Sequence, residues 1–396
     1  MPTITVDDNG TELAYLDSGV PKASQDSHVT IFAIHGIAFG FHIYDRILGL
    51  LRDSADIRFV AISRRGYPGS TPYDPDEIAR IPTDGDGQKE EFLRARGKEV
   101  AVFIDKFIEA FHLPPISADE SSGGIALMGW SLGSAVALSV ISHLDTYPQS
   151  AQARLGAYLR TLILHEPPQV ALGLPPLLKS WSPQYDKSIT PGQALRIGIH
   201  WLTSYFRHGD LSTGSLDALE YVVPATYRAP SIYTMSDAEV AQIVSYDLAG
   251  PDAVWFMNSR TQLRASYEKA SFDSVLRAKM PHMKIWLVVG DVTPSFAIAA
   301  AWQVEADDQR LGGGNFVKVK WVGGSNHFVS FTLCAWNHLE PPLPDRLCRC
   351  SGTNPHWLYA PSGRLSFGTY LAFKMAAILS RRRDLRNKGR RSSRKR

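Results

Sequence analysis

The chain of 396 residues is poor in cysteine: it has three, Cys334, Cys348 and Cys350, all late in the sequence. An odd, clustered set excludes a disulfide framework. The C-x-C of Cys348 and Cys350 has no second pair to close a four-ligand metal site, so free thiols in a reducing compartment are the plainer expectation. Long apolar runs are also lacking. No stretch reaches the roughly 18 residues a membrane helix needs, and Tyr370–Leu379 is too short to span. The opening MPTITVDDNGTELAYLD has no basic segment leading into an apolar one, so no secretory signal is expected. Excess charge is scarce: the formal net charge is +3, and residues 381–396, with ten Lys or Arg against one Asp, carry more than all of it. The rest of the chain is therefore mildly acidic, which argues against a nucleic-acid surface on the body. The basic segment suits a nuclear import signal or an acidic surface, with a solvated tail as the plainer reading. A cytoplasmic protein is expected, with nuclear import through the tail as the alternative.

What is present is a large apolar fraction, 44% of residues, enough for an extensive buried core. Thr3–Val6 and Glu12–Asp17 flank Asn9-Gly10, a hairpin signal. Val29–His35, Arg58–Ile62, Ile125–Met128, Leu159–Leu164, Ile285–Val289 and Phe316–Val322 are short apolar runs that suit strands buried on both faces. Helical spacing predicts helices over Gln88–Phe111, Ala135–Leu144 and Phe296–Val304. Strands alternating with helices point to an α/β fold with a mainly parallel sheet flanked by helices. Residues 170–275 differ: they are rich in aromatics and prolines and have no strand pattern, as expected of an inserted helical cap. Its aromatics are Trp181, Tyr185, Trp201, Tyr205, Phe206, Tyr221, Tyr227, Tyr233, Trp255 and Phe256. They are expected mostly to pack the cap on the core, with some lining an apolar pocket.

The chemistry gathers at strand ends. Gly129-Trp130-Ser131-Leu132-Gly133 lies between an apolar strand and a helix. A tight turn there lifts the serine hydroxyl above the sheet edge, and small residues two positions away let strand and helix pass closely. The Leu132 N–H then stands at a helix N-terminus, suited to an oxyanion. The motif is weak alone, and the strand before it and helix after it give it weight. His35-Gly36 ends an earlier strand, so the Ile37 N–H is a second candidate donor, while His35 itself reads as structural. Gly323-Gly324-Ser325-Asn326-His327-Phe328 follows the last strand, where His327 can serve as general base and then general acid. Two carboxylates compete to orient it. Asp291 follows Gly290 and doubles as a helix cap; Glu166, in His165-Glu166-Pro167-Pro168, doubles as a solvated loop acid.

These segments together resemble the α/β-hydrolase superfamily over roughly residues 3–330. Asp291 is the preferred acid of the two, and the order Ser131, Asp291, His327 matches the family's chain order. Arg65-Gly66-Tyr67-Pro68-Gly69-Ser70 is similar to a structural turn found after the family's fourth strand. The resemblance implies an eight-stranded core sheet, a helical cap over the site, and neither metal nor organic cofactor. Ser at the elbow argues against the branches that use aspartate there. Two departures stand out. Most relatives carry the acid after the seventh strand about three residues beyond the glycine, whereas here Asp291 is the very next residue after Gly290 and position 293 is Thr, which keeps Glu166 in play. After His327 the chain runs into Pro341-Pro342-Leu343-Pro344 rather than the usual closing helix.

The expected organisation is a first part of the core over 1–169, a cap over 170–275, a second part of the core over 276–331, and an atypical C-terminal extension with a basic tail over 332–396. The expected activity is hydrolysis of a small to medium apolar carboxylic ester through an acyl-enzyme. Ser131 is the nucleophile, His327 the base, Asp291 or Glu166 the acid, and Ile37 and Leu132 the oxyanion donors. Carbon–carbon hydrolysis, lyase chemistry, or a ligand-binding receptor without turnover are the alternatives. The oligomeric state is not legible.

Overall fold

The computed structural model describes residues 1–52, 56–183 and 186–328. The cysteines, the extension over 332–396 with its basic tail, and Tyr185 lie outside the described residues.

Eight strands form one sheet: β1 (Thr3–Thr5), β2 (Glu12–Asp17), β3 (Val29–Ile34), β4 (Ile57–Ile62), β5 (Ile125–Trp130), β6 (Leu159–His165), β7 (Lys284–Gly290) and β8 (Val317–Val322). Their spatial order is β1-β2-β4-β3-β5-β6-β7-β8. β1 and β2 are antiparallel to their neighbours, with Gly10 at φ 80° in the turn between them, and every later pairing is parallel. This is the α/β-hydrolase architecture.

The central strands are buried along their whole length because both faces of the sheet are covered. On β3, Phe32 and Ile34 join one apolar cluster while Ile31 and Ala33 join the other. Helices Asp86–Ala110 and Gly133–Ser142 cover the first face and pack on each other. Helix Ser295–Gly312 connects β7 to β8. β8, last in the sheet, alternates buried Val317 with exposed Lys318, a charge pattern that discourages further strand pairing.

Residues 166–283, between β6 and β7, hold no strand among the described residues. Helix Arg260–Phe272 lies against Gly133–Ser142 and sends Leu263, Tyr267 and Ala270 into the main core. Earlier in the insertion, Ile199, Ile232, Ile243 and Val244 enter the cluster of Trp130 and Phe328 instead. Of its aromatics, Trp201, Tyr205, Phe206, Tyr221 and Trp255 are buried, whereas Tyr227 and Tyr233 are exposed. Packing thus dominates their use. No helix among the described residues is long and apolar enough to cross a membrane.

Candidate active site

Ser131 follows β5 directly and has φ 54°, a left-handed conformation rare for a side chain with a Cβ. The turn is held by the Ser131 N–H donating to the His165 carbonyl at 2.9 Å, across the register that pairs Trp130 with His165. The two glycines of the elbow are there for space. A Cβ on Gly129 would strike the Gly133 backbone, and one on Gly133 would strike the carbonyls of Ile34 and His35. Gly36 approaches the serine itself: a Cβ there would lie 2.9 Å from Ser131 Cβ. The loop after β3 is therefore pressed against the elbow. Neither the Ile37 nor the Leu132 N–H has a hydrogen-bond partner among the described residues.

His327 is 2% exposed and lies against the residue preceding the serine: the Trp130 indole N–H donates to the His327 carbonyl at 2.9 Å, and the two rings are 5.3 Å apart. Its Nδ1 meets Glu166 Oε2 at 3.3 Å. Glu166 is fully buried and, like Ser131, sits at φ 54° just beyond its strand. Its carboxylate is well supplied with donors. Oε1 accepts the Gly290 N–H at 2.5 Å, and Oε2 accepts the Thr293 hydroxyl at 2.6 Å. Donors of this kind offset the desolvation of a buried carboxylate.

Asp291 has partners of its own in this geometry. Its backbone N–H continues the β7–β8 ladder to Val322, and its carboxylate turns to that side, accepting the Gly324 N–H at 2.7 Å. Burial pushes its pKa up, partly offset by that N–H and by the charge of His208. It braces the loop that carries His327, and it is Glu166 that meets the imidazole. Among the described residues the Ser131 hydroxyl itself takes no hydrogen-bond partner.

The neighbours divide into neutral histidines and apolar walls. His35 accepts the Arg64 N–H at Nε2 and donates from Nδ1 to the Gly36 carbonyl, and burial holds its pKa well below the ordinary value, so it is a structural residue. His165 is pushed down to about 3, first by burial and then by the charge of His327. Phe296 and Phe328 stand 5.3 and 6.1 Å from the His327 ring, and Phe39 packs on Phe328. The loop of His327 is pinned from the insertion. Buried Asn326 donates to the Thr203 carbonyl and the Ser231 hydroxyl, both at 2.7 Å. The turn after β4 is a brace: Ser70 binds the Ala14 N–H and the Ser63 carbonyl. Trp130 and Asn326 were assigned no role from the sequence, and Thr293 was noted only as a departure from the family's pattern. For Thr293 there was a signal, since it occupies the position where relatives carry their acid.

A family model for the alpha/beta hydrolase family matches residues 31–360. The chain belongs to the α/β-hydrolase family. No curated protein matches it by sequence. Among solved structures, this α/β-hydrolase is similar to a carboxylesterase of Nitrososphaera gargenis, at 12% identity over 85% of this chain and 95% of the other, with a TM-score of 0.42. It is also similar to a thermophilic esterase of Thermogutta terrifontis, at 15% identity over 85% and 94%, TM-score 0.41. A bromoperoxidase of Bacillus anthracis aligns at 13% identity over 84% and 95%, TM-score 0.43.

Proposed function

We propose that this α/β-hydrolase is a serine hydrolase acting on small to medium apolar carboxylic esters. The observation that carries the reading is the buried His327–Glu166 pair held against the strained elbow of Ser131. In this reading His327 Nε2 takes the Ser131 proton as Oγ attacks the ester carbonyl, while Glu166 fixes the proton on Nδ1 and stabilises the imidazolium. The tetrahedral oxyanion is met by the Ile37 and Leu132 N–H groups, the second at a helix N-terminus. Collapse expels the alkoxide, which takes its proton from His327. Water, deprotonated by His327, then releases the acid from the acyl-enzyme. The substrate class rests on the surroundings: Phe39, Trp130 and Phe328 share a cluster with Ile232 and Val244 of the insertion, which acts as a cap with apolar side chains toward the site.

Pre-steady-state turnover of p-nitrophenyl acetate and hexanoate tests this. A burst of one nitrophenol per chain followed by a slower steady state is expected, with Ser131→Ala abolishing both. Full ester turnover by Ser131→Ala would refute the reading. One observation favours a second reading, ligand binding without turnover: the Ser131 hydroxyl lacks a bond to the imidazole. Bonds of this kind often tighten only with substrate bound, so stoichiometric binding of an ester without product release would favour the second reading.

A further inference from the structure

The Ile37 N–H can serve an oxyanion only if residues 35–38 hold still, and a buried network does this work. Arg64 Nε donates to the His35 carbonyl at 3.1 Å and its Nη2 to the Gly36 carbonyl at 2.8 Å. The Tyr67 hydroxyl accepts the Ala38 N–H at 2.9 Å. Ala38 has φ 62°, so the loop turns through a conformation that costs an L-residue about 1 kcal/mol or more. These contacts bracket Ile37 on both sides and leave its own N–H without a partner among the described residues.

Both brackets converge on one carboxylate from the insertion. Asp252, on helix Ala249–Asn258, is fully buried. Its Oδ1 accepts from Arg64 Nη1 at 2.9 Å and from the Trp255 indole at 3.1 Å; its Oδ2 accepts from Arg64 Nη2 at 2.5 Å and from the Tyr67 hydroxyl at 2.6 Å. A bidentate pair fixes the guanidinium plane, and the plane sets where the remaining N–H groups point. The Tyr67 proton is likewise committed to Asp252, so its oxygen is left to accept from Ala38. The insertion adds two backbone bonds to the same loop, Gly40 N–H to the Ile243 carbonyl and Ser245 N–H to the Ala38 carbonyl, both at 2.8 Å.

We propose that Asp252 is a positioning residue for the oxyanion donor: through Arg64 and Tyr67 it aims the Ile37 N–H, and so ties the insertion to the rate of acyl transfer. The inference rests on the ester-hydrolase reading. An ill-aimed donor weakens the transition state and leaves ground-state binding nearly intact, because an oxyanion hole fits the tetrahedral oxygen rather than the carbonyl.

The test uses the full chain with Asp252→Asn and, as the milder variant that keeps the salt bridge, Tyr67→Phe. kcat and KM for p-nitrophenyl butyrate are measured alongside inhibition by a butyl trifluoromethyl ketone, which forms the tetrahedral adduct. Asp252→Asn should lower kcat about 10- to 100-fold and Tyr67→Phe about 3- to 10-fold, with KM within about twofold, and ketone affinity should fall in parallel with kcat. Unchanged kcat in a folded Tyr67→Phe protein, or losses confined to KM and melting temperature, would overturn the proposal even if Asp252→Asn fails to fold. A wild-type chain without ester turnover would instead overturn the reading beneath it, and the inference with it.

Discussion

Glu166 and Asp291 each follow the last residue of a buried parallel strand, β6 and β7, yet they end in different surroundings. Glu166 takes a left-handed backbone at φ 54°, and its longer side chain reaches across to the end of β7, where the Gly290 N–H and the Thr293 hydroxyl bind it. Asp291 stays in the β7–β8 ladder and spends its carboxylate on Gly324. Gly290 makes the difference possible: a Cβ there would strike the Ser325 carbonyl and lie 3.2 Å from Glu166 Oε1. A position at a strand end therefore does not fix what a carboxylate binds. Backbone conformation and the donors awaiting the carboxylate do.

The sharpest way to break this comparison is to neutralise each acid in turn. Glu166→Gln should lower kcat about 10²- to 10⁴-fold, since it removes the charge that supports the imidazolium. Asp291→Asn should leave kcat within about threefold, and a larger loss there than at Glu166 would invert the assignment. A relocation experiment is expected to have a smaller effect. Thr293 touches Glu166 Oε2, so an acid at 293 would stand near the carboxylate it replaces. Combining Thr293→Asp with Glu166→Ala should recover at least about tenfold in kcat over Glu166→Ala alone. Ala at 166 adds no new backbone cost, because the residue it replaces already has a Cβ at positive φ. No recovery would mean that direction, as well as proximity, is set by the β6 end.

The last expected effect is on stability, not on rate. His165 is held neutral by burial, with its pKa pushed from 6.5 to about 3. Between those values the unfolded chain binds a proton that the folded chain refuses. This contribution is full above roughly pH 6.5 and is lost as pH falls toward the folded value. His165→Gln should flatten the decline of melting temperature between about pH 6.5 and 4 relative to wild type. An identical slope in both proteins would show that His165 protonates freely.

The sheet was largely legible in the sequence because strands buried on both faces must be short and continuously apolar, and Val29–His35 or Leu159–Leu164 read that way at once. The elbow was legible for a steric reason, since Gly129 and Gly133 stand where a side chain would collide with backbone. The partners of the two candidate acids were not. Asp291 and Glu166 both follow buried strands, and the Gly290 and Thr293 donors that hold Glu166 leave no pattern to read. Nor was the role of Asp252 visible, because its partners Arg64 and Tyr67 lie nearly 190 residues away in the chain. Contacts between an insertion and the core leave no periodicity to read.

The most direct test of the whole account is labelling with a fluorophosphonate probe, comparing wild type with Ser131→Ala, His327→Ala and Glu166→Gln. Rapid labelling of wild type, none of Ser131→Ala, and strongly slowed labelling of the other two are expected. A folded wild-type protein that resists the probe, or a Ser131→Ala protein that takes it up at the wild-type rate, would contradict it.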